Sequence, residues 1–112
     1  MDKDSEEYFR SIETYTEKVA RLQAKKEVVR AAGFLADLRA VEAGYDHKVS
    51  CPIEGTDKSY FTRMGVDEAT ELAEQVQSHL TIVCEGDVDA ATFIYSQAGN
   101  ALAQELATPE SA

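Results

Sequence analysis

The sequence has no tryptophan, only two prolines and two cysteines, and neither lysine nor arginine anywhere from Met64 to Ala112. No uninterrupted apolar run approaches the ~20 residues a membrane span requires, which excludes a transmembrane helix. The N-terminus, Met-Asp-Lys-Asp-Ser-Glu-Glu, is acidic and lacks the apolar segment of a signal peptide. Two cysteines without an export signal do not make a disulfide framework, so a reducing cytoplasm is the expected compartment. Also missing are a glycine-rich phosphate loop, a serine nucleophile elbow and a carboxylate–histidine helix motif, and with them the common routes to catalysis. The expectation is a protein that is not an enzyme and needs no cofactor.

What is present is charge, unevenly placed. The chain of 112 residues carries a net charge of −10. Its first 30 residues balance seven acids against seven bases, whereas the last 49 carry nine acids and no base. Direct binding to DNA, RNA or an anionic membrane is disfavoured, because the phosphate attraction that drives it becomes repulsion. The length suits one small domain. Sixteen residues are alanine, so the core is thin, and a small domain of this kind often completes itself with a second copy. A homodimer is therefore one expectation.

Asp4 or Ser5 is a candidate helix cap, with Glu6 and Glu7 in the first turn. Tyr8, Ile12, Tyr15, Val19 and Leu22 follow at spacings of four and three, one apolar stripe. Ala31, Phe34, Leu35, Leu38 and Val41 form a second stripe, rotated by roughly a third of a circle. A long helix over about 5–43 with a kink or break near Gly33 accounts for both, and Gly44 is its stop. Residues 45–65 contain Val49-Ser50-Cys51-Pro52-Ile53 and Ser59-Tyr60-Phe61-Thr62 on either side of the turn signal Glu54-Gly55-Thr56-Asp57. They read as a short β-hairpin or a structured loop, with Pro52 confined to an edge. A helix over about 67–85, capped by Asp67, puts Ala69, Leu72, Ala73, Val76, Leu80 and Val83 on one face. That division persists through the strand-like Leu80–Cys84, which therefore reads as helix, and Gly86 ends it. Asp87 caps a last helix over about 88–107, buried through Val88, Ala91, Ile94, Tyr95, Ala98, Leu102 and Leu106. Ala90, Gly99, Ala101 and Ala103 on that helix allow close approach of a neighbour. The fold class is mainly α, or α+β with one small hairpin: a long N-terminal helix, a hairpin middle and a C-terminal helical pair in a single domain, 1–112.

His47-x3-Cys51 and His79-x4-Cys84 supply four zinc-type ligands, but not the spacing. On a helix His79 and Cys84 point about 140° apart, and an extended His47 and Cys51 lie ~13 Å apart. No metal site is expected. Lys18, Arg21, Lys25, Lys26 and Arg30 form a basic cluster. They balance Glu13, Glu17 and Glu27 by i,i+4 pairing, face acidic helices of the same chain or a second copy, make one half of a bipolar surface, or contact nucleic acid.

The acidic stripe on Asp67, Glu68, Glu71 and Glu74 has no cation interleaved, whereas inert helix surfaces usually mix signs. Carboxylates one turn apart repeat every ~5.4 Å, a spacing comparable with phosphates along a nucleic-acid strand. Ile82 and Phe93 lie off the apolar faces of their helices and are candidate anchors within a polar rim. These six residues make the candidate partner-binding surface. The leading reading is a small acidic protein that occupies a basic surface of a protein partner, most concretely as a nucleic-acid-mimicking inhibitor of a defence, restriction or transcription complex. The alternative is a dimeric chaperone or structural adaptor binding apolar segments, in which the acidity serves solubility alone.

Overall fold

A computed structural model describes residues 13–107. Four helices and a hairpin follow in the order α1 (Tyr15–Gln23), α2 (Lys26–Glu42), β1 (Val49–Pro52), β2 (Ser59–Thr62), α3 (Val66–Val83) and α4 (Val88–Ala107). The fold is mainly α with one small antiparallel hairpin, as the sequence pattern implies.

The N-terminal helical region differs from expectation at both its start and its break. Thr14 caps α1 in an extended conformation and forms a capping box with Glu17, so the described helix begins at Tyr15. The expected cap at Asp4 or Ser5 and the apolar Tyr8 and Ile12 lie outside the described residues. The break falls at Ala24–Lys25, not near Gly33. Lys25 is extended, with φ −82° and ψ 128°. In an unbroken helix Val28 would sit about 120° around from Leu22, six residues away at about 100° each. Breaking the helix between them lets both side chains enter the same core, where each is fully buried. Gly33 lies inside α2, and a Cβ added there would meet nothing within 4 Å. It neither bends the helix nor admits a neighbour.

α2 is the centre of the domain. Its buried residues, Val28, Ala31, Ala32, Leu35, Ala36, Leu38, Ala40 and Val41, spread over most of its circumference. α3 packs on one part of that surface, α4 on another and β1 on a third. The C-terminal pair is thus two helices that share α2 and touch one another little. Eight of the twenty buried apolar residues are alanine, so these contacts are close but each contributes little area.

Two helix ends use the same device. At the end of α2, Tyr45 N–H reaches the Ala40 carbonyl at 3.1 Å and Gly44 N–H the Val41 carbonyl at 3.0 Å. Gly44 sits at φ +95°, a Schellman closure with glycine in the left-handed position. At the end of α3, Gly86 N–H reaches Thr81 at 2.8 Å and Glu85 N–H reaches Ile82 at 3.0 Å. There two successive residues are left-handed, Glu85 with φ +62° and Gly86 with φ +76°; Glu85 takes the closing position and the expected Gly86 follows it. At the start of α3 the cap is Gly65, with no side-chain cap. Asp67 is not the expected cap; it stands with Glu68 in the first turn, where the dipole favours acids. Asp87 caps α4 as expected, accepting from Ala90 N–H at 3.0 Å.

The middle segment is a hairpin. Val49 pairs with Thr62, Ser50 with Phe61, Cys51 with Tyr60 and Pro52 with Ser59, and the turn places Gly55 at φ +79°. Val49 and Cys51 are buried, whereas β2 is exposed along nearly its whole length. Pro52 is tolerated because the pairing alternates: Ile53 N–H donates to Lys58, so the nitrogen of Pro52 points away from β2.

Candidate protein-binding face

The basic cluster is occupied within the chain. Lys18 Nζ lies 3.0 Å from Asp87, and Lys25 Nζ lies 3.5 Å from Glu85. Arg21 bridges two carboxylates, Glu13 at 2.7 Å and Glu85 at 2.5 Å. Lys26 lies 3.3 Å from Asp57. Arg30 donates to backbone carbonyls of the hairpin turn, Lys58 at 2.6 Å and Thr56. Of the acids in the expected i,i+4 scheme only Glu13 pairs with the cluster, and it does so at a separation of eight. Most of the cluster instead clamps α1 and α2 to the α3–α4 connection and the hairpin.

The titration of these groups follows from that clamp. The Arg21 guanidinium, chiefly by hydrogen bonding, holds the Glu85 carboxyl down at about 2 and lowers Glu13. Asp87 is lowered by the Ala90 N–H first and then by Lys18, and Lys18 is raised by Asp87. Because each carboxylate meets a cation or amide donor, its charged form is favoured.

The α3 stripe is different. Asp67, Glu68, Glu71 and Glu74 are all exposed, and none takes part in an ion pair among the described residues. Arg39 is engaged by Glu42, and on α3 it meets Gln77 at 2.7 Å rather than Glu74. The buried side of α3 consists of Ala69, Ala73, Val76 and Leu80. The acids stand on the opposite side, with Glu68 at its edge. Ile82 is 72% exposed and lies on the same side, about 16 Å beyond Glu71 along the helix axis.

Phe93 does not join this face. It is 41% exposed and meets Tyr15 edge-on, with ring centroids 6.4 Å apart, while the Tyr15 hydroxyl donates to the Asp89 carbonyl at 3.3 Å. The pair ties α1 to α4. Tyr15, expected in a buried stripe, is therefore half exposed, while Val19 and Leu22 are buried as expected. Val88, also expected to be buried, is 62% exposed, and Leu102 and Leu106 are half-buried. Ala90, expected only to admit a neighbour, is itself fully buried.

One polar cluster carries no motif in the sequence. The Asp37 carboxylate, on α2, accepts from Ser50 N–H at 2.9 Å and lies 2.8 Å from His47 Nε2. It ties the start of β1 to the central helix. Its only advance signal is an acid at the border of the apolar surface of α2. Among the described residues no group of three or more His, Cys, Asp or Glu is arranged to hold a metal ion, and both cysteines are free and buried. Burial pushes the Cys84 thiol up, the direction opposite to an activated nucleophile. No helix among the described residues is long and apolar enough to cross a membrane. No family model, curated protein or solved structure matches this chain.

Proposed function

We propose that this protein binds a protein partner by laying the acidic face of α3 onto a basic surface, most concretely as an inhibitor that occupies the groove of a nucleic-acid-binding complex. One observation carries the reading. Lys18, Arg21, Lys25 and Lys26 are paired internally with Glu13, Asp57, Glu85 and Asp87, and among the described residues the four acids of α3 have no ion-pair partner. Burying unpaired carboxylates against a neutral partner is costly, so the complementary surface is basic. Ile82, exposed on the same side, supplies an apolar contact inside a polar rim. A cytoplasmic setting, with no cofactor, suits such a binder.

The test compares immobilised wild type with the variant Asp67→Asn, Glu68→Gln, Glu71→Lys, Glu74→Lys in lysate at low and high salt. The wild type should retain basic proteins at low salt and release them at high salt, because screening weakens charge-led association. The variant should retain none of them. Retention of the same proteins by both forms at both salt concentrations would refute the reading.

A further inference from the structure

The two edges of the hairpin are treated differently. The outer edge of β1 is covered: Ser50 N–H points away from β2 and donates to Asp37 on α2. Among the described residues the outer edge of β2 is bare. Since Ile53 N–H pairs with Lys58, the ladder groups of Lys58, Tyr60 and Thr62 face β1, and by alternation Ser59 and Phe61 turn their N–H and C=O outward. Among the elements of the described residues, β2 packs on β1 alone. Its Tyr60 is 53% and its Phe61 67% exposed, on opposite faces of the strand. Exposed strand edges are usually blunted by a charge, a proline or a bulge within the strand. Ser59-Tyr60-Phe61-Thr62 has none of these.

We infer that this edge pairs antiparallel with β2 of a second copy, turning two hairpins into one four-stranded sheet across a two-fold axis. Charge selects the occupant. Residues 45–63 carry three acids and three bases, Asp46, Glu54 and Asp57 against Lys48, Lys58 and Arg63, whereas residues 64–112 carry nine acids and no base. The hairpin is therefore where two chains of net charge −10 approach with least repulsion, and the basic partner of α3 has no attraction to it. The edge also complements itself. With Phe61 opposite Phe61, Arg63 faces the partner subunit's Ser59; with Phe61 opposite Ser59, Arg63 faces the partner subunit's Asp57. Neither register sets like charges opposite one another. Each brings the exposed aromatics of the two strands together on the new sheet, and the isologous contact closes at two copies. The inference is independent of the acidic face, which lies on another element.

Sedimentation equilibrium over a wide concentration range tests it, with wild type and two substitutions combined in one variant. Ser59→Pro removes an outward amide that β1 does not use, and Phe61→Lys puts a charge on the edge. Wild type should dimerise, and the double variant should dimerise about a hundredfold more weakly, because the Ser59 amide bond is lost twice across the axis and the aromatic contact is lost with it. Amide exchange in wild type supplies a readout that does not depend on the variant folding. The Ser59 and Phe61 amides should be protected at high concentration and exposed on dilution, while Tyr60 and Thr62 stay protected throughout. A monomer at every concentration would overturn the inference and leave the edge to an extended segment of another protein. A dimer in which the Ser59 and Phe61 amides exchange freely would overturn it as well.

Discussion

Replacing Asp37 by alanine should loosen the hairpin from the central helix. The carboxylate satisfies two donors at once, Ser50 N–H at 2.9 Å and His47 Nε2 at 2.8 Å, at a site only 15% exposed for the Asp37 side chain. Alanine leaves the Ser50 amide without its acceptor, and a poorly hydrated donor of that kind costs about 1–3 kcal/mol. A loss of about 2 kcal/mol lowers the melting temperature of a domain this size by about 8–16 °C. Asparagine keeps an oxygen for the Ser50 amide and should lose less than half as much. Melts followed by circular dichroism give the totals, and exchange of the Ser50 amide locates the effect. An alanine variant that melts within about 2 °C of wild type, against that expected shift, would refute the anchoring role. So would an asparagine variant as damaged as the alanine one.

Glu85 should show its clamp in acid. Its carboxyl lies at about 2, below the ordinary 4.5, so the stabilisation is complete above about pH 4.5 and disappears as pH falls toward 2. The melting-temperature gap between wild type and Glu85→Gln should follow that course, and a gap independent of pH would contradict it. Val19→Asp places a charge among Leu22, Val28 and the rest of the core cluster and should cost more than about 3 kcal/mol, read as a collapsed urea midpoint. Adding a chelator to wild type should leave the circular-dichroism spectrum unchanged, since no group of three or more His, Cys, Asp or Glu among the described residues is arranged to hold a metal ion.

Much of the fold is legible in the sequence because periodicity and turn chemistry are local. The apolar faces of α3 and α4, the Asp87 cap, the Gly44 closure and the Glu54–Asp57 turn each follow from residues within a few positions of one another. The helix break is misplaced when glycine is weighed above register. Two misaligned stripes have to meet one core, and the chain bends at Ala24–Lys25, where the stripes change, leaving Gly33 helical. Gly86 takes the left-handed conformation that glycine favours, but a second left-handed residue at Glu85 is hard to foresee; Arg21 and Lys25 hold the Glu85 side chain from elements far away in sequence. The exposed acids of α3 are visible from the sequence. That, among the described residues, Glu85 and Asp87 are internally paired while Asp67, Glu68, Glu71 and Glu74 are not depends on contacts across more than 60 residues, for which no local pattern exists. Phe93 illustrates the same limit: off-face on its own helix, it meets Tyr15 from another.

The acidic face is tested most sharply by the association rate of the captured partner with wild type and with the Asp67→Asn, Glu68→Gln, Glu71→Lys, Glu74→Lys variant across a salt series. The first-turn acids are not caps and exposed charges contribute little to stability, so the variant should melt close to wild type. The wild-type rate should fall steeply as salt rises, and the variant rate should be low and nearly flat, with faster release as well. Equal rates and equal salt dependence for two well-folded proteins would show that the α3 face is only a solvated surface.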